Sequence, residues 1–238
     1  MAPSRQKIWV NKAGEGLLAL LFPPKCPFCR RLLAEGEALL CPECQRELPW
    51  TQGKEGERKV EFAALCVAPL WFQDNCRKAV HRFKFDGLRR YSLPFSALMV
   101  QCARDRLSGE FDLVTWVPVS RRRRWARGYD QGELLAQGVA QGLELPVEAT
   151  LRKIRHNKKQ SLLSGSAARR ANVLGAYKMR DNASVQGKRV LLVDDVVTTG
   201  STLGECARML RTAGVREVVC LTLAMTPEQD KKPVSKKV

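Results

Sequence analysis

With 238 residues, 45% of them hydrophobic, the chain can bury one substantial core and a small second one, which excludes a wholly disordered protein. Lysine and arginine number 41 against 24 acids, a formal net charge of +17, which favours polyanionic partners such as nucleic acid or phosphorylated ligands. Nine cysteines, an odd number, speak against a disulfide scaffold and for reduced thiols, some of them given to metal.

Residues 1–24 carry a short apolar patch, Leu17, Leu18, Leu20, Leu21 and Phe22, closed by Pro23 and Pro24. It reads as a short helix packed on a neighbour, with a membrane-surface helix as the alternative. The patch is too short for a secretory or membrane-spanning segment, so no membrane insertion and a cytoplasmic location are expected.

Two CPxC knuckles follow, Cys26-Pro-Phe-Cys29 and Cys41-Pro-Glu-Cys44, separated by eleven residues. Four thiolates in two such turns suit a closed tetrahedral zinc site, structural because it leaves no open position; redox chemistry is the competing use of a CxxC. Arg30, Arg31 and Arg46 beside the knuckles either touch a phosphate backbone or form a solvated rim.

Residues 52–59, QGKEGERK, read as a polar linker, residues 62–72 as a strand and residues 74–85 as a helix with Cys76, Ala79, Val80 and Phe83 inward. That helix and the following FKFDGLRRY either cover a ligand site, or His81 is a partly exposed structural histidine. A helix is expected over residues 91–107 and a strand over 111–119. After the strand comes a loop of five arginines, Ser120-Arg121-Arg122-Arg123-Arg124-Trp125-Ala126-Arg127-Gly128. Guanidinium forks match phosphate oxygens in pairs, and Trp125 either stacks on a base or anchors the loop. A helix is expected over residues 132–142. Residues 151–160, LRKIRHNKKQ, with Arg155, Lys158 and Lys159, are a mobile lid or a solvated charge run, and a helix follows over 166–173. Cys66, Cys76, Cys102, Cys206 and Cys220 sit in apolar settings and read as core.

The most informative stretch is VLLVDDVVTTGSTL, residues 190–203. Val190, Leu191, Leu192 and Val193 read as a strand buried on both faces of a parallel sheet. Asp194 and Asp195 then stand at its carboxyl end, where open α/β sheets place ligands. Thr198, Thr199, Gly200, Ser201 and Thr202 lead into a helix at 203–210, whose free N–H groups and dipole suit a phosphate monoester. Carboxylates for two ribose hydroxyls beside a 5′-phosphate loop describe a phosphoribosyl site.

This stretch closely resembles the phosphoribosyl-pyrophosphate (PRPP) motif of type I phosphoribosyltransferases. Taken with the tandem CPxC, the VPV strand end, RGYDQ with Leu134-Leu135-Ala136, and the run from Arg155 through Gln160-Ser161-Leu162 to Arg169 and Asn172, the chain resembles the ComF family from about residue 26 to 223. Asp130 stands where that family usually carries Asn. The resemblance implies an α/β type I phosphoribosyltransferase fold, a mostly parallel sheet with flanking helices, over residues 61–226. A helix and four-cysteine zinc-ribbon-like module would precede it over 1–60, and a disordered basic tail would follow over 227–238. It further implies PRPP with magnesium as ligand, Asp194 and Asp195 as the catalytic pair, and residues 198–202 on the 5′-phosphate. Pyrophosphate would lie on Ser120, Arg121 and Arg122, and zinc on Cys26, Cys29, Cys41 and Cys44. A role in natural transformation is implied, with partners in the DNA-uptake machinery. Arg123, Arg124, Trp125, Arg127, Arg155, Lys158 and Lys159 are candidates for single-stranded DNA. The alternative is an active phosphoribosyltransferase of base or nucleotide metabolism.

Overall fold

The structure is a computed structural model and describes residues 23–34, 37, 39–155 and 172–227. The expected apolar helix near the start, Lys158, Lys159, most of the expected 166–173 helix and nearly all of the basic tail lie outside the described residues. In chain order come helix Pro42–Glu47 (α1), strands Glu57–Arg58 (β1), Leu65–Val67 (β2) and Leu70–Trp71 (β3), and helices Asp74–Phe85 (α2) and Ser92–Arg106 (α3). Strand Leu113–Trp116 (β4), helices Arg121–Arg127 (α4) and Gln131–Leu143 (α5), and strands Leu151–Lys153 (β5) and Tyr177–Met179 (β6) follow. Strand Arg189–Val197 (β7), helix Ser201–Thr212 (α6) and strand Glu217–Met225 (β8) complete the described elements.

The main sheet runs β1-β2-β8-β7-β4, with β3 pairing further along β8, and every pairing but β1–β2 is parallel. A strand's period of two sends alternate side chains to opposite faces. Leu191 and Val193 therefore pack with Phe95 and Met99 of α3 and Leu135 and Val139 of α5, while Val190 and Leu192 pack with Leu203, Cys206 and Leu210 of α6. Covered on both faces, β7 is apolar until its carboxyl end, as a parallel core strand requires. The five cysteines outside the knuckles are all buried.

The knuckle segment shares this core. Cys26, Phe28, Cys41 and Cys44 belong to the same apolar cluster as Phe83 and Phe95, and the Phe28 and Phe95 rings lie 5.6 Å apart.

Four local expectations differ from the structure. Of residues 151–160, expected as a mobile or solvated charge run, Leu151–Lys153 form β5, paired antiparallel with β6 and with Leu151 buried. Residues 62–72 form two short strands, because Pro69 lacks the N–H that a continuous strand needs and the chain re-pairs two residues later on β8. Residues 52–59 are not a linker: Gly53–Gly56 is a 3₁₀ turn, β1 pairs antiparallel with β2, and Arg58 is buried. Residues 120–128 are a helix, α4, and not a loop. Ser120 caps it by accepting the Arg123 N–H, and Gly128 ends it at φ 77°. No helix among the described residues is long and apolar enough to cross a membrane.

Candidate phosphoribosyl site

Strand β7 runs past its apolar run, so Asp194 and Asp195 lie within it and turn toward opposite faces. Asp195 meets Lys84 of α2, whose Nζ stands 2.8 Å from its Oδ1. Asp194 Oδ1 accepts the Asp195 N–H at 2.8 Å. Burial, reinforced by the charge of Asp195, pushes the Asp194 carboxyl up to about 8, with Lys84 pulling the other way.

Both acids line a cavity of about 280 Å³ together with Thr198, Gly200, Ser201 and Thr202. Gly200 has φ 75°, a backbone conformation that favours glycine, and a Cβ there would press on the Val60 side chain at 3.2 Å. Thr199 Oγ1 lies 2.8 Å from Ser201 Oγ at the mouth of the loop. Beneath it the Arg58 guanidinium donates to the carbonyls of Val197, Thr198 and Thr226. The loop is thereby fixed by its carbonyls, and helix α6 presents the N–H end of its dipole to the cavity.

The remaining wall is basic and aromatic. Arg123 and Arg127 come from α4, Lys153 from β5, Tyr177 from β6 and Phe85 from the end of α2. Lys153 Nζ lies 3.1 Å from the Tyr177 hydroxyl, and burial followed by the nearby charge of Arg123 holds its ammonium below the usual lysine range. Phe85, within FKFDGLRRY, lines the same cavity. Tyr177 and Arg58 carried no signal of their own in the sequence, whereas Lys84 and Lys153 lie in the basic runs FKFDGLRRY and LRKIRHNKKQ without being singled out within them.

Helix α4 divides the five arginines. Arg123 and Arg127 face the cavity, whereas Arg121 and Arg122 line an adjoining groove with Ser120, Lys153, Ile154 and Arg155. Arg124 pairs with Glu133 at 3.0 Å. Trp125 is 88% exposed and anchors nothing among the described residues. Asp130 is buried, caps α5 through the Glu133 N–H and accepts the Val119 N–H at 2.9 Å. It thus holds the turn after β4 in register with the helix that follows.

The four knuckle cysteines converge, with all their sulfurs within 4.8 Å of one another. Sulfurs at 2.3 Å from a tetrahedral zinc stand about 3.8 Å apart, so the set fits that ion. Burial opposes ionisation of Cys26, yet N–H donors of Cys41, Cys29 and Phe28 bring its thiol down to about 7, toward the thiolate that zinc requires.

The raised Asp194 value has a testable sign. Its carboxyl is harder to ionise folded than unfolded, so unliganded stability falls as pH rises from about 4 to about 8. The stabilising effect of Asp194→Asn should be near zero at pH 4, grow through that window and level off above it, reaching on the order of 1–3 kcal/mol. Unfolding midpoints of both proteins across the range check this, and a pH-independent difference would contradict it.

The model of the phosphoribosyl transferase domain matches residues 130–238, and that of the double zinc ribbon domain matches residues 17–55. Competence protein F of Haemophilus influenzae is 29% identical over 221 residues, covering 84% of this chain and 96% of that protein. DNA utilization protein YhgH of Escherichia coli K12 is 31% identical over 209 residues, covering 84% of each chain. Competence protein ComFC of Bacillus subtilis is 30% identical over 147 residues, covering 60% of this chain and 56% of its own. With cysteine knuckles ahead of a phosphoribosyltransferase fold and this identity over most of both chains, the chain belongs to the ComF family, which includes YhgH.

Proposed function

We propose that the cavity binds the 5-phosphoribosyl group of PRPP, with magnesium carried in on its pyrophosphate, and that the protein serves DNA uptake or use by engaging single strands beside that site. The observation that carries the reading is that an acidic pair and a phosphate-sized helix N-terminus line one cavity with Arg123, Arg127 and Lys153. Asp194 and Asp195 would accept the ribose hydroxyls, and residues 198–202 would hold the 5′-phosphate. Pyrophosphate would lie toward Ser120, Arg121 and Arg122, with Arg123 and Arg127 closer to the sugar. Magnesium would neutralise pyrophosphate charge, and the fixed cations and dipoles would favour charge separation at the ribose C1. The same geometry serves transfer to a base, the alternative function, or ligand sensing without transfer.

The DNA reading draws on the names of the relatives and on α4. Trp125 stands exposed among Arg121, Arg122 and Arg124, with Arg155 across the adjoining groove. A free aromatic face among guanidinium groups suits bases and phosphates of one strand. Zinc on Cys26, Cys29, Cys41 and Cys44 would be structural, and the site of action cytoplasmic, alongside proteins of the uptake machinery.

Calorimetry with Mg-PRPP tests the pocket: Asp194→Asn with Asp195→Asn should abolish binding, and retained affinity would remove the phosphoribosyl assignment. For the strand, the logarithm of single-strand affinity should fall linearly with the logarithm of salt concentration, and Trp125→Ala should weaken binding about tenfold or more at fixed salt. A flat salt response, or a variant as tight as the wild type, would contradict it.

A further inference from the structure

Helix α2 grips two distant places through residues two apart. Arg82 Nη2 donates to the carbonyls of Pro27 and Phe28 at 2.8 and 2.7 Å. Lys84 Nζ holds Asp195 Oδ1 at 2.8 Å at the cavity. Positions two apart on a helix point about 200° apart around its axis, so the two cations leave α2 on opposite sides. Between them Phe83 is fully buried against Phe95, and its carbonyl accepts the Tyr129 hydroxyl. The last turn of the helix therefore bridges the cysteine knuckle on one side and the acidic pair on the other.

The knuckle side depends on metal. Pro27 and Phe28 lie between Cys26 and Cys29, so the turn whose carbonyls hold Arg82 is the turn that a bound zinc closes. Arg82 is half-buried, and its Nε is buried with no hydrogen-bond partner among the described residues, so the Pro27 and Phe28 carbonyls are the contacts that fix its guanidinium. On the other side Lys84 offsets the charge of Asp195, beside which Asp194 also stands, and an anionic ligand must approach both carboxylates. A shift of α2 thus weakens the neutralisation that the ligand needs.

We propose that metal occupancy of the four-cysteine cluster sets the affinity of the phosphoribosyl cavity, with Arg82 and Lys84 as positioning residues that transmit the coupling across α2. The inference rests on the phosphoribosyl reading above. Linkage makes it reciprocal, so ligand slows zinc loss as zinc favours ligand.

The test uses the full chain, zinc-loaded, with Mg-PRPP as probe in calorimetry. Arg82→Met should keep about one zinc per chain and an unchanged circular dichroism spectrum. Its affinity should nevertheless fall roughly five- to fiftyfold. Lys84→Met should lose a similar factor, and the double variant should be no weaker than Lys84→Met alone, because both cut one connection. Wild-type affinity in Arg82→Met, or a double loss equal to the product of the singles, would overturn the coupling. Amide hydrogen exchange over residues 194–202 without ligand gives a second reading. Exchange should quicken in Arg82→Met, and identical exchange would also overturn the proposal. A wild-type chain that binds no Mg-PRPP would sink the phosphoribosyl function, and exchange would then decide the coupling by itself.

Discussion

Two carboxylates joined by a single peptide bond, at the end of a strand sealed on both faces, resist being ionised together unless a cation lies against them. Much of the site follows from that constraint. Strand alternation separates Asp194 from Asp195, Lys84 meets one of them, and burial keeps the other protonated into the neutral range. On the proposed reading, a ligand bringing hydroxyl donors would relieve the pair, and its phosphate would meet positive potential a few residues later, at the start of α6. The acids and the loop would then be halves of one recognition device on one strand-turn-helix unit.

The unit works because other parts of the chain hold it. Arg58, from a strand of two residues at the sheet edge, pins the carbonyls beneath the phosphate loop. Asp130 ties the turn after β4 to the start of α5 and so settles where α4 lies. The knuckle packs its Phe28 into the main core and grips α2 through Arg82. The zinc-ribbon segment is therefore continuous with the packing that supports the cavity, rather than a bead on a linker.

What the sequence reveals divides along the same line. The run 190–203 is legible because strand, acids, glycine turn and helix start are contiguous, and each has a local chemical signature. The cysteine knuckles are legible by spacing. Arg58 is hidden because QGKEGERK has the composition of a solvated connector, and its burial arises only from contacts with residues far along the chain. Lys84 and Lys153 look like ordinary surface lysines until folding brings them to Asp195 and Tyr177. Helix α4 has its own signature in Ser120 as cap and Gly128 as stop, which the run of five arginines between them masks as a charged loop. Trp125 depended on tertiary context: either fate was open, and the fold leaves it facing solvent.

On the proposed reading, helix α4 would stand between two chemistries, a small sugar phosphate in the cavity and a polyanionic strand on the outer face. Arg123 and Arg127 turn toward the cavity, Arg121 and Arg122 line the adjoining groove proposed for pyrophosphate, and Trp125 stands exposed on the outer face. The most direct measurement is a crystal structure of the chain with Mg-PRPP. The account predicts ribose hydroxyls on Asp194 and Asp195 and the 5′-phosphate on the N–H groups of residues 198–202. Density for the sugar phosphate elsewhere, with the cavity empty, would contradict it.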